Sequence, residues 1–391
     1  MPQVSLQHGI FVAPYHDIDE NPTIALRRDL ELVEHVDRLG FKEAWFGEHH
    51  STGWETIGSP ELMIAAAAEN TRYIRLGTGV ISLPFHNPLM VANRIIQLDH
   101  MTMGRVMFGV GPGLLTTDAK MLGVDIKAQR DMLVEAIEVI LPLLRGEEVT
   151  HTSSWFKLDR ARVHLLPYTQ PHPEVAVASA ITPSGGMLAG RLGLGMLCVA
   201  ATESAGFDVL GENWKVANKI AAEHGRSMNP AQLRLVAPIY IAETREKARA
   251  DVAHGLAAWC EYFDRVAPKG MGGLVGNGDP ADLLINSGRA VIGTPQDAIA
   301  LIEKLQHKQG DFGVLLIQST NWAEWEHIKR SYELYARFVI PYFSKVNTNR
   351  RLSFDRMRAE FESVDAQRQQ GVDMAFAKWN EYKAGRSGSE P

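Results

Sequence analysis

Glu43-Ala-Trp-Phe-Gly-Glu-His-His50 is a short apolar run that stops abruptly at an acid and two imidazoles. Residues 43–47 have the length and bulk of a buried parallel strand, bounded by Gly40-Phe41 before and Ser51-Thr52-Gly53 after. Titratable groups placed where such a strand stops lie at its carboxyl end, where parallel α/β folds assemble their sites. Glu48, His49 and His50 therefore put a carboxylate and two groups that titrate near neutrality at one strand tip.

Similar runs lie on either side of this one. Gly9–Ala13, Arg75–Ile81, Val106–Val110, Glu174–Ser179, Gly195–Ala200, Leu233–Ile241 and Gly313–Ile317 all read as strands. Segments of helical period follow them. Thr23–Leu39 carries a stripe of Leu26, Leu30, Leu32, Val33 and Val36. Ser59-Pro60-Glu61 and Gly293-Thr-Pro295 are capped helix starts with proline in the first turn. Further helices are expected over 88–101, 130–145, from Pro183, over 207–224, as one long helix over Glu243–Phe263, and over 323–343. Eight strands each feeding a helix predict a single (β/α)8 TIM barrel with insertions over 1–343; a doubly wound open sheet, usually of about six strands, is the runner-up. Between 146 and 172 the periodicity fades into an extended excursion, and the Gly-rich stretch 270–290 reads as a loop suited to act as a lid. From 344 to 391 the chain becomes a C-terminal helical extension, with Phe354, Met357, Phe361 and Val364 spaced to lie on another surface and a disordered tail.

The bulk numbers narrow the function classes. Hydrophobic residues make up 45% and charged residues 22% of 391, as in a globular protein with a large core. A net charge of −6 with no basic stripe argues against nucleic acid as a partner. Cys198 and Cys260 fit no metal spacing and no disulfide framework, which suits a reducing compartment. Neither a secretory signal nor a bilayer-length apolar run is evident, so the cytoplasm is the expected location.

Four places could carry chemistry. Glu48 and His49 are the candidate catalytic pair, against the plainer reading of a hydrogen-bonded strand end. Adjacent histidines on an extended segment point opposite ways, so only one faces the barrel mouth and a metal site is not expected. Gly109-Val-Gly-Pro-Gly113 is not a dinucleotide fingerprint, because its spacing differs and Pro112 lacks a backbone donor. Gly111 there suggests either close approach of a flat ligand or a simple rim turn. Ala178-Ser-Ala-Ile-Thr-Pro-Ser-Gly-Gly186 leaves a strand with small hydroxyl residues and enters a helix, an arrangement that binds phosphate through backbone donors. Ser179, Ala180, Thr182 and Ser184 are the residues in question, with Arg130 as a paired cation; capping of the helix by Thr182 or Ser184 is the alternative. Thr78-Gly79-Val80 ends strand three, where Gly79 permits close approach of a ligand or marks a bulge.

Trp45-Phe-Gly-Glu-His-His50, Arg75-Leu-Gly-Thr-Gly79, Leu98-Asp-His-Met-Thr-Met-Gly-Arg-Val-Met-Phe-Gly109 and Gly293-Thr-Pro295 together resemble the bacterial-luciferase-like flavin monooxygenases, in continuous order across 8–343. Ala44 to Glu55, Asp118-Ala-Lys-Met-Leu-Gly123 and Val177-Ala-Ser-Ala180 are most similar to the limonene 1,2-monooxygenase branch. The resemblance implies FMN, or alternatively FAD, bound in reduced form at the carboxyl face and supplied by a separate NAD(P)H:flavin reductase. It further implies reaction with O2 through a C4a-peroxyflavin and oxygenation of a small apolar substrate, such as a terpene by epoxidation. Baeyer–Villiger oxidation and N-oxygenation are the alternatives within the family.

Carried over by position, His49 is the catalytic histidine and Glu48 the acid before it. Gly79-Val80 is the place of a cis non-prolyl peptide under the ring, and Arg130 with Ser179 to Ser184 holds the phosphate. A neutral His49 is expected at the flavin edge. Gly111 and Pro112 stand where the luciferase pattern has a reactive Cys and an Arg, so that Cys plays no part here. Trp54, Phe85, Trp155, Phe156, Trp259 and Tyr262 are the expected wall of the substrate pocket, and a homodimer is expected by analogy. Competing readings are a deazaflavin (F420)-dependent oxidoreductase on the same barrel, a flavin-binding protein without catalysis, and a metal-dependent barrel hydrolase.

Overall fold

A computed structural model describes residues 4–13, 15–266 and 278–387. Eight parallel strands in it close into a ring: β1 Gln7–Val12, β2 Glu43–Phe46, β3 Arg75–Thr78, β4 Val106–Gly111, β5 Glu174–Ser179, β6 Gly195–Cys198, β7 Leu233–Ile241 and β8 Val314–Gln318. β1 pairs with β2 (Gly9 opposite Glu43) and with β8 (Gln7 opposite Val314). β7 completes the ring between β6 (Leu233 opposite Met196) and β8 (Arg234 opposite Val314). The expected (β/α)8 barrel is present, and the open doubly wound sheet is excluded because no barrel strand is left with a free edge.

Alternation along the strands explains the two apolar layers. Ile10, Val12, Ala44, Phe46, Phe108 and Val110 point outward and pack against helices, whereas Phe11, Trp45, Met107, Leu197, Val236 and Leu316 cluster inside the ring. Trp45 is fully buried, and Gly77 on the neighbouring strand makes room for it, since a Cβ there would fall 2.5 Å from the indole. The amino end of the barrel is plugged by charge. Arg234 lies 2.7 Å from Glu43 and 2.8 Å from Glu174, Arg75 adds a second contact to Glu174 at 2.8 Å, and the guanidinium of Arg234 covers Trp45.

Helices connect the strands. α1 (Pro22–Leu39) is capped by Asn21 and stopped by Gly40 in the left-handed region. α2 (Pro60–Asn70), α3 (Pro88–Met101), the short α4 (Thr116–Met121) and α5 (Gln129–Leu144) follow the next three strands. The 146–172 excursion contains an antiparallel hairpin, Val149–Thr152 with Lys157–Ala161. α6 (Ser184–Leu192) and α7 (Ser204–Glu223) come after β5 and β6.

Two expectations need correction. The single helix over 243–263 is two, α8 (Arg245–Val252) and α9 (Leu256–Arg265), broken at Gly255. The Gly255 amide bonds the Trp322 carbonyl at 2.9 Å, and a Cβ there would fall 2.1 Å from the Asn321 carbonyl, so packing overrides helical period. Within 270–290, residues 278–290 are not one loop, because α10 (Pro280–Ser287) is capped by Asp279; the proposed lid's remaining part, 270–277, lies outside the described residues.

α11 (Pro295–Gln309) opens on a capping box between Thr294 and Asp297. α12 (Trp325–Leu334) continues through a π turn at Tyr335–Val339 into α13 (Ile340–Ser344). The chain divides into two compact units, Met1–Ser344 and Lys345–Pro391. The second unit contains one long helix, α14 (Thr348–Ser387), on which Phe354, Met357, Phe361 and Val364 are exposed. The tail expected to be disordered, 388–391, lies outside the described residues. No described helix is long and apolar enough to cross a membrane.

Candidate active site

A cavity of about 890 Å³ opens at the carboxyl ends of the barrel strands, within the range of small-molecule and cofactor pockets. Glu48, His49, Gly79, Val80, Arg130, Ser179, Ala180, Thr182 and Ser184 all line it. Thr78 and Gly111, also expected to contact a cofactor, do not appear in its wall.

β2 ends at Phe46, and the chain turns so that Glu48 is buried. Its carboxylate accepts hydrogen bonds from His86 Nε2 at 2.5 Å, the Ser82 amide at 2.6 Å and His50 Nε2 at 3.0 Å. Burial alone would raise this acid, but the donors from His50, His86 and Ser82 outweigh it and hold Glu48 at about 2. Glu48 is thus an ionised anchor with its acceptor positions filled. His50 serves it and is absent from the cavity wall, as the alternation of adjacent side chains requires.

His49 faces the cavity, and both of its ring nitrogens meet carboxylates. Nε2 lies 2.8 Å from Glu55 Oε2, and Nδ1 lies 3.1 Å from Asp118 Oδ2. Tyr262 on α9 donates its hydroxyl to the other oxygen of Glu55 at 2.7 Å. Asp118 on α4 also accepts from Ser51 Oγ at 2.5 Å and from the His50 amide at 3.2 Å. Burial opposes a charge on the imidazole, but Glu55 and Asp118 prevail and push His49 up to about 10. A ring hydrogen-bonded to carboxylates on both sides carries two protons, so the expected neutral His49 is corrected to a cation. Burial likewise pushes Asp118 upward, yet the hydrogen bonds from His49 and Ser51 pull it below its ordinary value.

The cavity floor is backbone. The Gly79-Val80 peptide bond is cis. Behind it, Thr78 Oγ1 donates to the Gly109 carbonyl at 2.8 Å and accepts from the Gly109 amide at 2.9 Å, which occupies this hydroxyl within the barrel wall. Gly111 lies beneath Val80, where a Cβ would come within 2.6 Å of Val80 Cγ2. At Gly109 a Cβ would fall 2.1 Å from the Thr78 carbonyl. These glycines therefore admit the barrel's own atoms rather than a flat ligand, which corrects the role expected of Gly111.

The far end of the cavity suits an anion. No side chain caps the start of α6, and the Thr182 and Ser184 hydroxyls bond each other at 2.9 Å instead. Gly185 presses the start of that helix onto the Ala178 carbonyl, where a Cβ would fall at 2.4 Å. Arg130, in the first turn of α5, is exposed and forms no ion pair with any described residue. Arg191 also reaches this end, tied to Glu138 at 2.9 Å. Free helix amides, two hydroxyls and an unpaired guanidinium are the donor set a phosphate requires.

Of the six aromatic residues expected to form the substrate wall, Tyr262 alone lines the cavity. Trp54 packs edge-on against Tyr262, Phe85 against His50, and Trp259 against Tyr15, while Trp155 bonds Glu135 at 2.7 Å. The carboxylates that hold His49 were not picked out by spacing. Glu55 and Asp118 both sit in stretches that carry the resemblance, but nothing local marks them as partners of one ring.

The luciferase-like monooxygenase family matches residues 6–311. Limonene 1,2-monooxygenase of Rhodococcus erythropolis is 45% identical over 336 residues, 86% of each chain. 4-Hydroxyprotoasukamycin monooxygenase of Streptomyces nodosus subsp. asukaensis is 41% identical over 343 residues, 87% of this chain and 92% of its own. Among solved structures, the monooxygenase RslO1 from Streptomyces bottropensis superposes with a TM-score of 0.76 at 24% identity, over 86% of this chain and 100% of that one, a likeness of fold.

Proposed function

The chain belongs to the luciferase-like monooxygenase family, and on that premise we propose a flavin-dependent monooxygenase of the two-component kind. It takes reduced FMN from a separate NAD(P)H:flavin reductase and uses O2 to oxygenate a small apolar organic molecule, a terpene such as limonene by epoxidation being the first choice. One observation carries the reading: a single cavity joins a backbone floor at Gly79-Val80 to an anion site at Arg130 and the start of α6. A flat ring tethered to one phosphate matches both ends.

Arg130, Thr182, Ser184 and the first amides of α6 would hold the phosphate, with Ser179 and Ala180 alongside it. Gly79 and Val80 would support the ring. Bound in reduced form, the flavin supplies the electron pair with which O2 places one oxygen atom in the substrate and one in water. His49 contributes a fixed positive charge in the wall, and Glu48 anchors the segment that carries it. Apolar strand ends such as Phe11 and Val236 exclude water from the same space, which oxygen chemistry requires. The reading places this activity in residues 1–343 of a cytoplasmic homodimer, with 344–391 a separate helical extension.

The test is direct. The purified chain is mixed with chemically reduced FMN, O2 and a panel of terpenes, ketones and amines, and oxygen uptake and products are measured. Loss of the proposal follows if oxygen uptake does not exceed that of free reduced flavin and no substrate gains oxygen. A spectral titration with reduced deazaflavin, run in parallel, discriminates hydride transfer on the same barrel.

A further inference from the structure

Tyr15 places a committed but undischarged hydrogen-bond donor in the cavity wall. Its hydroxyl accepts from Gln318 Nε2 at 3.2 Å and donates to no described residue. The side chain is buried, at 8% exposure, and its ring is wedged edge-on against Tyr262 at 4.8 Å and Trp259 at 6.4 Å. Its backbone is held as firmly: Asn321 donates to the Tyr15 carbonyl at 2.7 Å, and Tyr15 forms an antiparallel bridge with Glu55. The hydroxyl therefore cannot swing away to water.

Nearby acceptors are already engaged. Glu55 receives Tyr262 on one oxygen and His49 on the other. Glu203 is paired with Arg289 through both of its oxygens, at 2.8 and 3.1 Å. Burial first, then Glu55 and Glu203, raise Tyr15 well above the ordinary phenol value, so it keeps its proton. Phe11, Val236, Pro238 and Phe263 add apolar wall to the same cavity. A buried donor whose hydrogen meets no acceptor among the described residues is matched by a ligand that brings one.

Building on the flavin-oxygenase reading, we propose that Tyr15, oriented by Gln318, is a specificity-determining residue that donates to a carbonyl or hydroxyl oxygen on an otherwise apolar substrate. This narrows the terpene class named above from limonene itself to an oxygen-bearing terpenoid of the same size. Gln318, the last residue of β8, fills the acceptor side of the hydroxyl and leaves its hydrogen for the substrate.

Limonene and carvone, which is the limonene skeleton with a ring ketone, are the probes. Both are titrated into the cofactor-free full chain by tryptophan fluorescence, and the carbonyl stretch of bound carvone is recorded by infrared difference spectroscopy. Wild type should favour carvone about tenfold, the worth of one hydrogen bond, with the stretch moved to lower frequency. Tyr15→Phe should erase both the preference and the frequency shift, and Gln318→Leu should reduce them, with thermal melts confirming that each variant is folded. Equal binding of the probes by wild type, or a preference and stretch unchanged in Tyr15→Phe, overturns the role of Tyr15. Reduced FMN is titrated separately: a wild-type chain that does not bind it refutes the flavin reading, whereas a chain that binds it but ignores the Tyr15 change refutes this inference alone.

Discussion

His49 and Glu55 meet at 2.8 Å, nitrogen to oxygen, while the opposite nitrogen of the same ring faces Asp118. The two carboxylates share one imidazole, and this arrangement determines its charge. Because the folded value is raised, the contribution of His49 to stability is complete below the ordinary imidazole value of 6.5 and is lost as pH climbs through about 10. Replacing Glu55 by Gln removes one of the two anions and should lower the His49 midpoint by about one unit or more. Nitrogen-15 NMR of the labelled ring reads this; a wild-type ring that titrates at the ordinary value would contradict the two-carboxylate arrangement.

Glu48 behaves in the opposite sense. Its folded value lies at about 2, below the ordinary 4.5, so its contribution is present above 4.5 and lost as pH falls through about 2. Glu48→Gln leaves two imidazoles and an amide around a neutral group and should cost about 3–5 kcal/mol at neutral pH. Urea unfolding at several pH values should also show a flatter acid limb in the variant. A variant as stable as wild type would mean that Glu48 is not the anchor.

Arg130 forms no ion pair with any described residue that could compensate for its removal. Arg130→Ala should weaken reduced FMN about tenfold or more, the scale of a hydrogen bond to a charged group. Riboflavin, which lacks the phosphate, should bind both proteins alike. Equal losses for the two ligands would move the phosphate away from Arg130.

Arg234 predicts a stability effect remote from the cavity. Arg234→Met takes the buried cation from Glu43 and Glu174 and leaves them the half-exposed Arg75, at 3.6 and 2.8 Å, which should destabilise by about 3 kcal/mol in guanidinium unfolding. The folded fraction should bind reduced FMN like wild type. A loss under about 1 kcal/mol would show that solvent reaches these carboxylates.

The barrel was legible because each strand carries its own instruction. Ile10 and Val12 face out while Phe11 faces in, and that alternation is written in consecutive residues. Glu48 and His49 were legible because a strand that ends in titratable groups presents them at the mouth. The break at Gly255 was not, since the signal for a helix across it is strong and only the Asn321 backbone pressing on it decides otherwise. Nor were the tasks of Gly109 and Gly111 readable, because a missing side chain does not say whether a ligand or the protein fills the gap.

Short-range order belongs to the sequence: the repeat of strand and helix, the position of the acid and imidazoles at a strand tip, and the small hydroxyl residues before α6 all follow from neighbours in the chain. Charge and access belong to the tertiary structure. Glu55, held by Tyr262, and Asp118 reach His49 from a separate loop and helix, and ionisation depends on what lies within a few ångströms rather than on what lies within a few residues. That is why the chain alone could put His49 at the barrel mouth, and only the closed barrel could make it a cation.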